Sequence, residues 1–312
     1  MKDQSLLFTY SIVFFVMIIW GLNVVMLKVL VDTFPAVTMT VFRIMTAGMV
    51  TAAIILASKN MRKLTKKEWK YTFLGALFGV VAHHFFLSVG LTLTNASTAV
   101  LILALLPLST SILAIVFLGD RLTKWRTVGI GLAFVGVLFI QGGGGEGVFS
   151  LGELYIFLAM IVQAISFIFI KKGTTSLDSK QMTSMMLLIG SIGLLFISLV
   201  LEPGSIGEML GAPLGAYVIF FVSAILATAL GHFLFNAAIQ KIGAGQAAIF
   251  NNFVPFFGLI SSALFLNEQV YWYQSFGFMF IVIGVLFGTG YIESMFLKRK
   301  QNQEPTLQKK SM

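Results

Sequence analysis

The chain has 312 residues, of which 58% are hydrophobic and only 11% are charged. So few polar side chains cannot cover a water-soluble domain, and the composition therefore predicts an all-α integral membrane protein. The net charge of +9 does not indicate nucleic-acid binding, because the basic residues lie in short connections between apolar segments, where membrane topology accounts for them. The absence of cysteine excludes disulfides, thiolate metal sites and cysteine nucleophiles.

Ten apolar segments are long enough to be membrane helices, since a helix needs about 20 apolar residues to cross the hydrocarbon core. The first segment is too long for the core of a signal peptide and lacks a small-residue cleavage site, so we interpret it as a span. The ten predicted spans are residues 7–31, 35–57, 70–91, 95–118, 124–141, 151–172, 181–201, 213–236, 244–266 and 272–292.

The chain contains an internal duplication with a constant offset of 148 residues. The offset places Pro107 on Pro255 and Gly129 on Gly277. Repeated membrane segments are typical of transporters, and we expect two units of five helices each. The predicted organisation is a first repeat at 7–141, a glycine-rich linker at 142–150, a second repeat at 151–292 and a basic tail at 293–312.

The distribution of lysine and arginine predicts the orientation of the chain. When the connections are numbered alternately, the basic residues fall on one side, whereas Asp32, Glu202 and Glu268 fall on the other. Cytoplasmic loops are the basic ones, so both termini are predicted to lie in the cytoplasm. Five helices per repeat is an odd number, so the repeats cross the membrane in opposite senses. Such an inverted repeat predicts alternating access around a substrate site near the membrane midplane.

Several local patterns resemble one known family when they are taken together. The first span contains Trp20, Gly21, Leu22 and Asn23 followed by Lys28, and the second opens at Pro35 and carries Arg43. The fourth and ninth spans each contain a proline and end in similar motifs, at 118–122 and 266–270. In order and spacing these features resemble the EamA-type transporters of the drug/metabolite transporter superfamily, across residues 7–292. The resemblance implies a ten-helix carrier of the cell membrane that exports small metabolites, often amino acids or related compounds, and in some members takes them up.

Ionisable side chains inside hydrocarbon are costly, so the embedded histidines are candidates for function. His84 and His232 differ by the same offset of 148 and occupy equivalent places in the two halves. They either hold the bundle by hydrogen bonds between helices or face a central cavity, where they bind or gate a polar substrate. His83 is expected on a different helix face. A metal site is not expected, because His83 and His84 are adjacent and no embedded carboxylate or cysteine completes a ligand set.

Embedded amides and one tryptophan complete the predicted substrate site. Asn251 and Asn252 stand one turn before Pro255, where a proline frees a backbone carbonyl. The predicted substrate-binding residues are Trp20, Asn23, His84, Gln163, His232, Asn236, Asn251 and Asn252.

A second set of residues is predicted to be structural or gating: Lys28, Arg43, Pro107 and Pro255. Lys28 can extend to the interface, make a structural contact or reach the cavity. Arg43 lies about 12 Å along its span, where it either ties helices together or contacts the substrate.

No carboxylate lies near the middle of any predicted span, which disfavours antiport of cationic drugs. If transport is coupled to protons, the histidines are the embedded groups that can bind and release them. The expected partners are a small-molecule substrate and the lipid bilayer, and no cofactor is expected. A multidrug or cationic-compound exporter, an uncoupled metabolite facilitator and an intramembrane enzyme stay open as alternatives. Gly284 and Gly288 predict a close helix contact within the chain or between subunits, which leaves both monomer and homodimer open.

Overall fold

The computed structural model describes residues 2–58, 61–118, 123–142, 150–242, 250–288, 292 and 295. For residues 2–7, 114, 118, 137, 140–142, 236 and 239–242 it describes the backbone alone. Most of the predicted linker and nearly all of the predicted basic tail lie outside the described residues.

The described residues form helices and no strand. The α-helices are α1 (Lys2–Thr33), α2 (Ala36–Ala57), α3 (Lys66–Ala76), α4 (His83–Leu93), α5 (Ala96–Leu103), α6 (Leu106–Leu118), α7 (Lys124–Gly142), α8 (Leu151–Gly173), α9 (Ser179–Leu201), α10 (Leu214–Phe221), α11 (Gly231–Ile242), α12 (Phe253–Phe265) and α13 (Trp272–Gly288). A first π segment (Leu77–Ala82) joins α3 to α4, and a second π segment (Val222–Leu230) joins α10 to α11.

Seven of the described helical stretches are long and apolar enough to cross a membrane. They are Phe8–Thr33, Ala36–Ala57, Lys66–Leu93, Ala96–Phe117, Leu151–Gly173, Ser179–Leu201 and Leu214–Phe235. Helices α12 and α13 are apolar but shorter. Large apolar side chains face outward, including Val200 and Leu264, which are 76% and 70% exposed. An outer surface of this kind is stable in lipid and not in water, so the chain is a multi-pass membrane protein.

Prolines set two of the helix boundaries. The predicted span at 95–118 is interrupted, because α5 ends at Leu103 and α6 begins at Leu106. Pro107 then stands in the first turn of α6, and Pro255 stands in the first turn of α12. A first-turn proline is tolerated because the N–H that it lacks has no partner within the helix.

Helices α2 and α9 pack side by side and are tied together at both ends. The Glu202 carboxylate accepts hydrogen bonds from the backbone N–H groups of Val37 at 3.0 Å and Thr38 at 2.7 Å. These N–H groups have no partner inside α2, so the carboxylate caps the helix and complements its dipole. At the opposite end, the Gln181 amide of α9 donates at 2.6 Å to the carbonyl of Arg62, which lies in the connection that follows α2. The guanidinium of Arg62 also pairs with Glu68 at 2.6 Å, and this hydrogen bond raises the pKa of Arg62.

Glu268 caps α5 in the same way. Its two carboxylate oxygens accept from the N–H groups of Ala96 at 2.9 Å and Ser97 at 2.8 Å. Asn267 has φ 52°, a left-handed conformation that asparagine tolerates, and it turns the chain out of α12 immediately before Glu268. The carboxylate therefore fastens the end of α12 to the start of α5, which no local sequence pattern indicates.

Replacing Glu268 with glutamine is expected to lower the stability of the protein by about 1–2 kcal/mol. Glutamine keeps one oxygen acceptor but loses the charge and the second acceptor, so one N–H of α5 loses its partner. The measurement is the midpoint of thermal unfolding in detergent. Glu208→Gln is the matched control because Glu208 is exposed. Equal midpoints for the two variants would contradict the capping role.

Helices α7 and α13 form a close pair through glycines. A Cβ at Gly284 would lie 2.5 Å from the backbone nitrogen of Ala133 and 2.6 Å from the carbonyl oxygen of Gly129. A Cβ at Gly136 would lie 2.5 Å from the carbonyl oxygen of Gly277. No side chain fits at these separations, so the backbones touch directly. The Gly284 and Gly288 pair therefore joins two helices of the same chain.

Replacing Gly129 with valine is expected to separate α7 from α13 and to lower the unfolding midpoint by several degrees. A Cβ at Gly129 would overlap the backbone of α13, which cannot yield without moving the helix. Gly131→Val is the control, because a Cβ at Gly131 has no atom within 4 Å and lies on the same helix. Thermal unfolding in detergent measures both variants. An unchanged midpoint for Gly129→Val would show that the contact is loose.

Candidate substrate site

A central cavity of about 180 Å³ lies between the helices, lined by α1, α4, α5, α6, α8, α9, α11, α12 and both π segments. Its walls are mostly apolar, with a few polar groups that converge on the space. Small-molecule sites commonly combine an apolar wall with a few placed polar groups in this manner. The polar and aromatic side chains of the lining are Trp20, Asn23, His83, His84, Gln163, Phe167, Thr183, Thr228, His232, Phe235 and Asn251.

The structure brings most of the predicted substrate-binding residues together at this cavity. The predicted residues that line it are Trp20, Asn23, His84, Gln163, His232 and Asn251. Asn252 is not among the lining residues, and the side chain of Asn236 lies outside the described part of the chain. Pro107 and Pro255 also line the cavity, whereas Lys28 and Arg43 do not.

Lys28 makes a structural contact near the end of α1. Its Nζ donates to the carbonyl oxygen of Leu91 at 2.9 Å and to the carboxylate of Asp32 at 3.1 Å. The Leu91 carbonyl belongs to the last turn of α4, where carbonyls lack partners within the helix. Lys28 therefore ties α1 to the end of α4.

Arg43 is 1% exposed and sits behind the cavity wall. Its Nη1 donates to the hydroxyl of Thr228 at 2.7 Å, and its Nη2 lies 3.3 Å from Nδ1 of His84. Thr228 and His84 both line the cavity. The guanidinium therefore does not line the cavity itself, but it contacts two polar side chains that do.

The second π segment supplies backbone carbonyls to the side chains of the site. Trp20 Nε1 donates to the carbonyl of Ala227 at 2.9 Å, and His232 Nδ1 lies 2.8 Å from the carbonyl of Thr228. The Trp20 and His232 rings are 5.0 Å apart. π-helical segments often occur at functional sites. Here the segment and α1 fix the orientation of one cavity histidine.

The first π segment packs closely against α8. Gly79 lines the cavity, and a Cβ there would overlap the side chain of Ser166. The Ser166 hydroxyl donates to the carbonyl of Gly75 at 3.2 Å, which holds α3 against α8. A glycine at residue 79 is therefore needed for the approach of these two helices.

Three polar lining residues were not among the predicted site residues. His83 is predicted to lie on a different helix face from His84, and in the structure both residues line the cavity. The His83 ring lies 4.8 Å from the His84 ring, and its Nδ1 is 2.9 Å from the carbonyl of Ala159. Thr183 and Thr228 carry no distinguishing local signal, since threonines are frequent in these helices.

Two amide oxygens of the cavity are buried without a hydrogen-bond partner, Oε1 of Gln163 and Oδ1 of Asn251. A buried acceptor without a partner is costly, and a ligand that donates to it recovers that cost. Within the described ranges, no three side chains of His, Asp or Glu are grouped so that they could hold a metal ion.

The family model described as the EamA-like transporter family matches residues 7–142 and 150–289. The uncharacterized transporter YyaM of Bacillus subtilis is 30% identical over 277 residues, which cover 85% of this chain and 88% of that protein. An uncharacterized transporter of Archaeoglobus fulgidus is 26% identical, with 80% and 87% covered. One solved crystal structure has the same fold, with a TM-score of 0.66 at 16% identity over 90% of this chain and 98% of that one. The chain therefore belongs to the EamA-like transporter family.

Proposed function

We propose that the protein is a secondary transporter of the cell membrane that moves a small polar metabolite by alternating access around the central cavity. Export of amino acids or related compounds is the activity that we assign to it. One observation supports the proposal most directly. Histidine and amide side chains from both halves of the sequence line the same cavity. Transporters with internal repeats place their substrate sites at such an interface.

We further propose ten membrane helices in two inverted five-helix repeats, 7–141 and 151–292, with both termini in the cytoplasm. The offset of 148 residues relates α3, the first π segment and α4 to α10, the second π segment and α11. It also relates the two first-turn prolines. The one-sided distribution of lysine and arginine in the connections supports the orientation.

The cavity favours a small metabolite over a large or cationic drug. Its volume of about 180 Å³ lies below the range of roughly 300–1,000 Å³ that is usual for drug-sized ligands. Among the described lining residues none is Asp or Glu, which would pair with a cation. The titratable groups of that lining are His83, His84 and His232, so we assign any proton coupling to them.

Counterflow in proteoliposomes tests the proposal. Vesicles that contain the purified chain are preloaded with single amino acids and assayed from about pH 5.5 to about pH 8, with and without an imposed proton gradient. We expect exchange specific to a few amino acids and driven by the gradient. Specific exchange that is indifferent to the gradient would indicate a facilitator. Exchange of no amino acid and of no other metabolite would contradict the proposal, and chemical conversion of the cargo would indicate an enzyme.

A further inference from the structure

Arg43 is a buried cation without a carboxylate partner in the described part of the chain. The ion pairs recorded there are Lys28 with Asp32 and Arg62 with Glu68. The Nε atom of Arg43 is buried and has no hydrogen-bond partner. A buried charge is costly unless an opposite charge or hydrogen bonds compensate for it. The positive charge beside the cavity is therefore available to an anionic group that enters from outside.

The contact with Arg43 fixes the tautomer of His84. A guanidinium only donates hydrogen bonds, so Nδ1 of His84, at 3.3 Å from Nη2, accepts. Neutral His84 therefore carries its proton on Nε2. His84 lines the cavity, and its Nε2–H is the ring donor that the contact with Arg43 does not use.

The other two histidines of the cavity have the opposite tautomer. Nδ1 of His83 lies 2.9 Å from the carbonyl of Ala159, and Nδ1 of His232 lies 2.8 Å from the carbonyl of Thr228. A carbonyl only accepts, so both rings carry their proton on Nδ1, and in the neutral form each Nε2 is an acceptor. The unpartnered oxygens of Gln163 and Asn251 add further acceptors to the same cavity.

We infer that the cavity recognises the carboxylate of an amino-acid cargo at His84, with Arg43 supplying the positive charge behind the ring. The ammonium group of the same cargo is bound by the acceptors of the lining, the amide oxygens of Gln163 and Asn251 among them. Charge-assisted hydrogen bonds are stronger than neutral ones, so the carboxylate contributes most of the selectivity. The inference rests on the proposed transport function and narrows its substrate class. An amine that lacks the carboxylate is a poor ligand.

Two substitutions of His84 separate the donor from the structural contact. In His84→Gln the amide nitrogen reaches the place of Nε2 and can still donate to the cargo. In His84→Asn the amide oxygen stays close to the place of Nδ1 and can accept from Arg43, but the donor to the cavity is lost. Arg43→Met removes the positive charge. Arg43→Lys keeps the charge but replaces the planar guanidinium by a single ammonium group.

The test is ligand binding to the purified full chain, followed by the fluorescence of Trp20 in a variant with Trp69→Phe, Trp125→Phe and Trp272→Phe. The probes are the common L-amino acids and the amines that result from removing their carboxylates. We expect amino acids to bind at least about tenfold more tightly than the matching amines. His84→Asn and Arg43→Met reduce this preference by about tenfold or more, whereas His84→Gln retains most of it. Thermal unfolding without ligand verifies that each variant is folded.

Equal affinity for amino acids and their amines would overturn the inference, as would equal affinities in His84→Asn and His84→Gln. Binding of no amino acid, combined with counterflow of another metabolite, would overturn the inference while leaving a carrier. Absence of counterflow with every metabolite would instead contradict the proposed function, so the two failures are distinguishable.

Discussion

Replacing Trp20 with alanine is expected to abolish specific exchange and to destabilise the protein by about 3–5 kcal/mol. The indole donates to the Ala227 carbonyl, lies 5.0 Å from the His232 ring and 5.0 Å from the Phe235 ring. Its loss removes the side-chain hydrogen bond to that carbonyl, opens the cavity and removes the surface that orients His232. Counterflow and thermal unfolding measure the two effects separately.

Trp272→Ala is the control for Trp20→Ala, because Trp272 is 69% exposed at the start of α13. We expect it to keep wild-type exchange and to have a small effect on the unfolding midpoint. Trp20→Phe keeps much of the apolar area but has no N–H donor, so it is expected to fall between wild type and Trp20→Ala. Wild-type exchange in a folded Trp20→Ala variant would remove this residue from the site.

Replacing Gly79 with alanine is expected to impair exchange strongly and to lower the unfolding midpoint. The added methyl group overlaps the side chain of Ser166, so the first π segment and α8 must move apart or Ser166 must move. Overpacking of this kind typically costs about 1–3 kcal/mol. Gly79 lines the cavity, so the displacement also changes the shape of the site.

The matched rescue is the double variant Gly79→Ala with Ser166→Gly, which removes the side chain that the new methyl group would overlap. We expect it to recover a large part of both stability and exchange, because the overlap no longer exists. Gly215→Ala is the control, since a Cβ at Gly215 has no atom within 4 Å. A double variant as impaired as Gly79→Ala alone would show that another property of Gly79 accounts for the effect.

Hydropathy predicts the long helices closely because each is a continuous apolar run. The predicted spans 35–57, 151–172 and 181–201 correspond to α2, α8 and α9 with ends that differ by at most two residues. Hydropathy does not predict the π segments, since a π turn changes the backbone hydrogen bonds without changing composition. The break between α5 and α6 is visible in the sequence only as Pro107.

Part of the cavity could be identified from the sequence, namely six of the eight predicted substrate-binding residues, because embedded amides and histidines are rare and costly in hydrocarbon. The network behind the cavity could not, since it depends on partners far apart in the chain. Arg43 bonds to Thr228, which is 185 residues away, and Glu268 caps a helix that begins 172 residues earlier. Contacts between residues so far apart in the sequence produce no periodic or local sequence pattern.

The equivalent positions of His84 and His232 predict a symmetric pair, but their partners differ. His84 accepts from a guanidinium, whereas His232 donates to a backbone carbonyl. The two histidines therefore share a sequence offset but not a role, since the surroundings leave a ring donor on His84 and a ring acceptor on His232. Such a difference is what a cargo with an acidic and a basic end requires.

The most direct test of alternating access uses a single cysteine at the cavity, which is feasible because the chain has none. Val254→Cys places it on a partly buried residue of the lining. A membrane-impermeant thiol reagent is added to one side or the other of sealed vesicles, with and without the amino acid that exchanges in counterflow. We expect labelling from both sides and protection by the cargo. Labelling from one side alone, or labelling that the cargo leaves unchanged, would contradict alternating access.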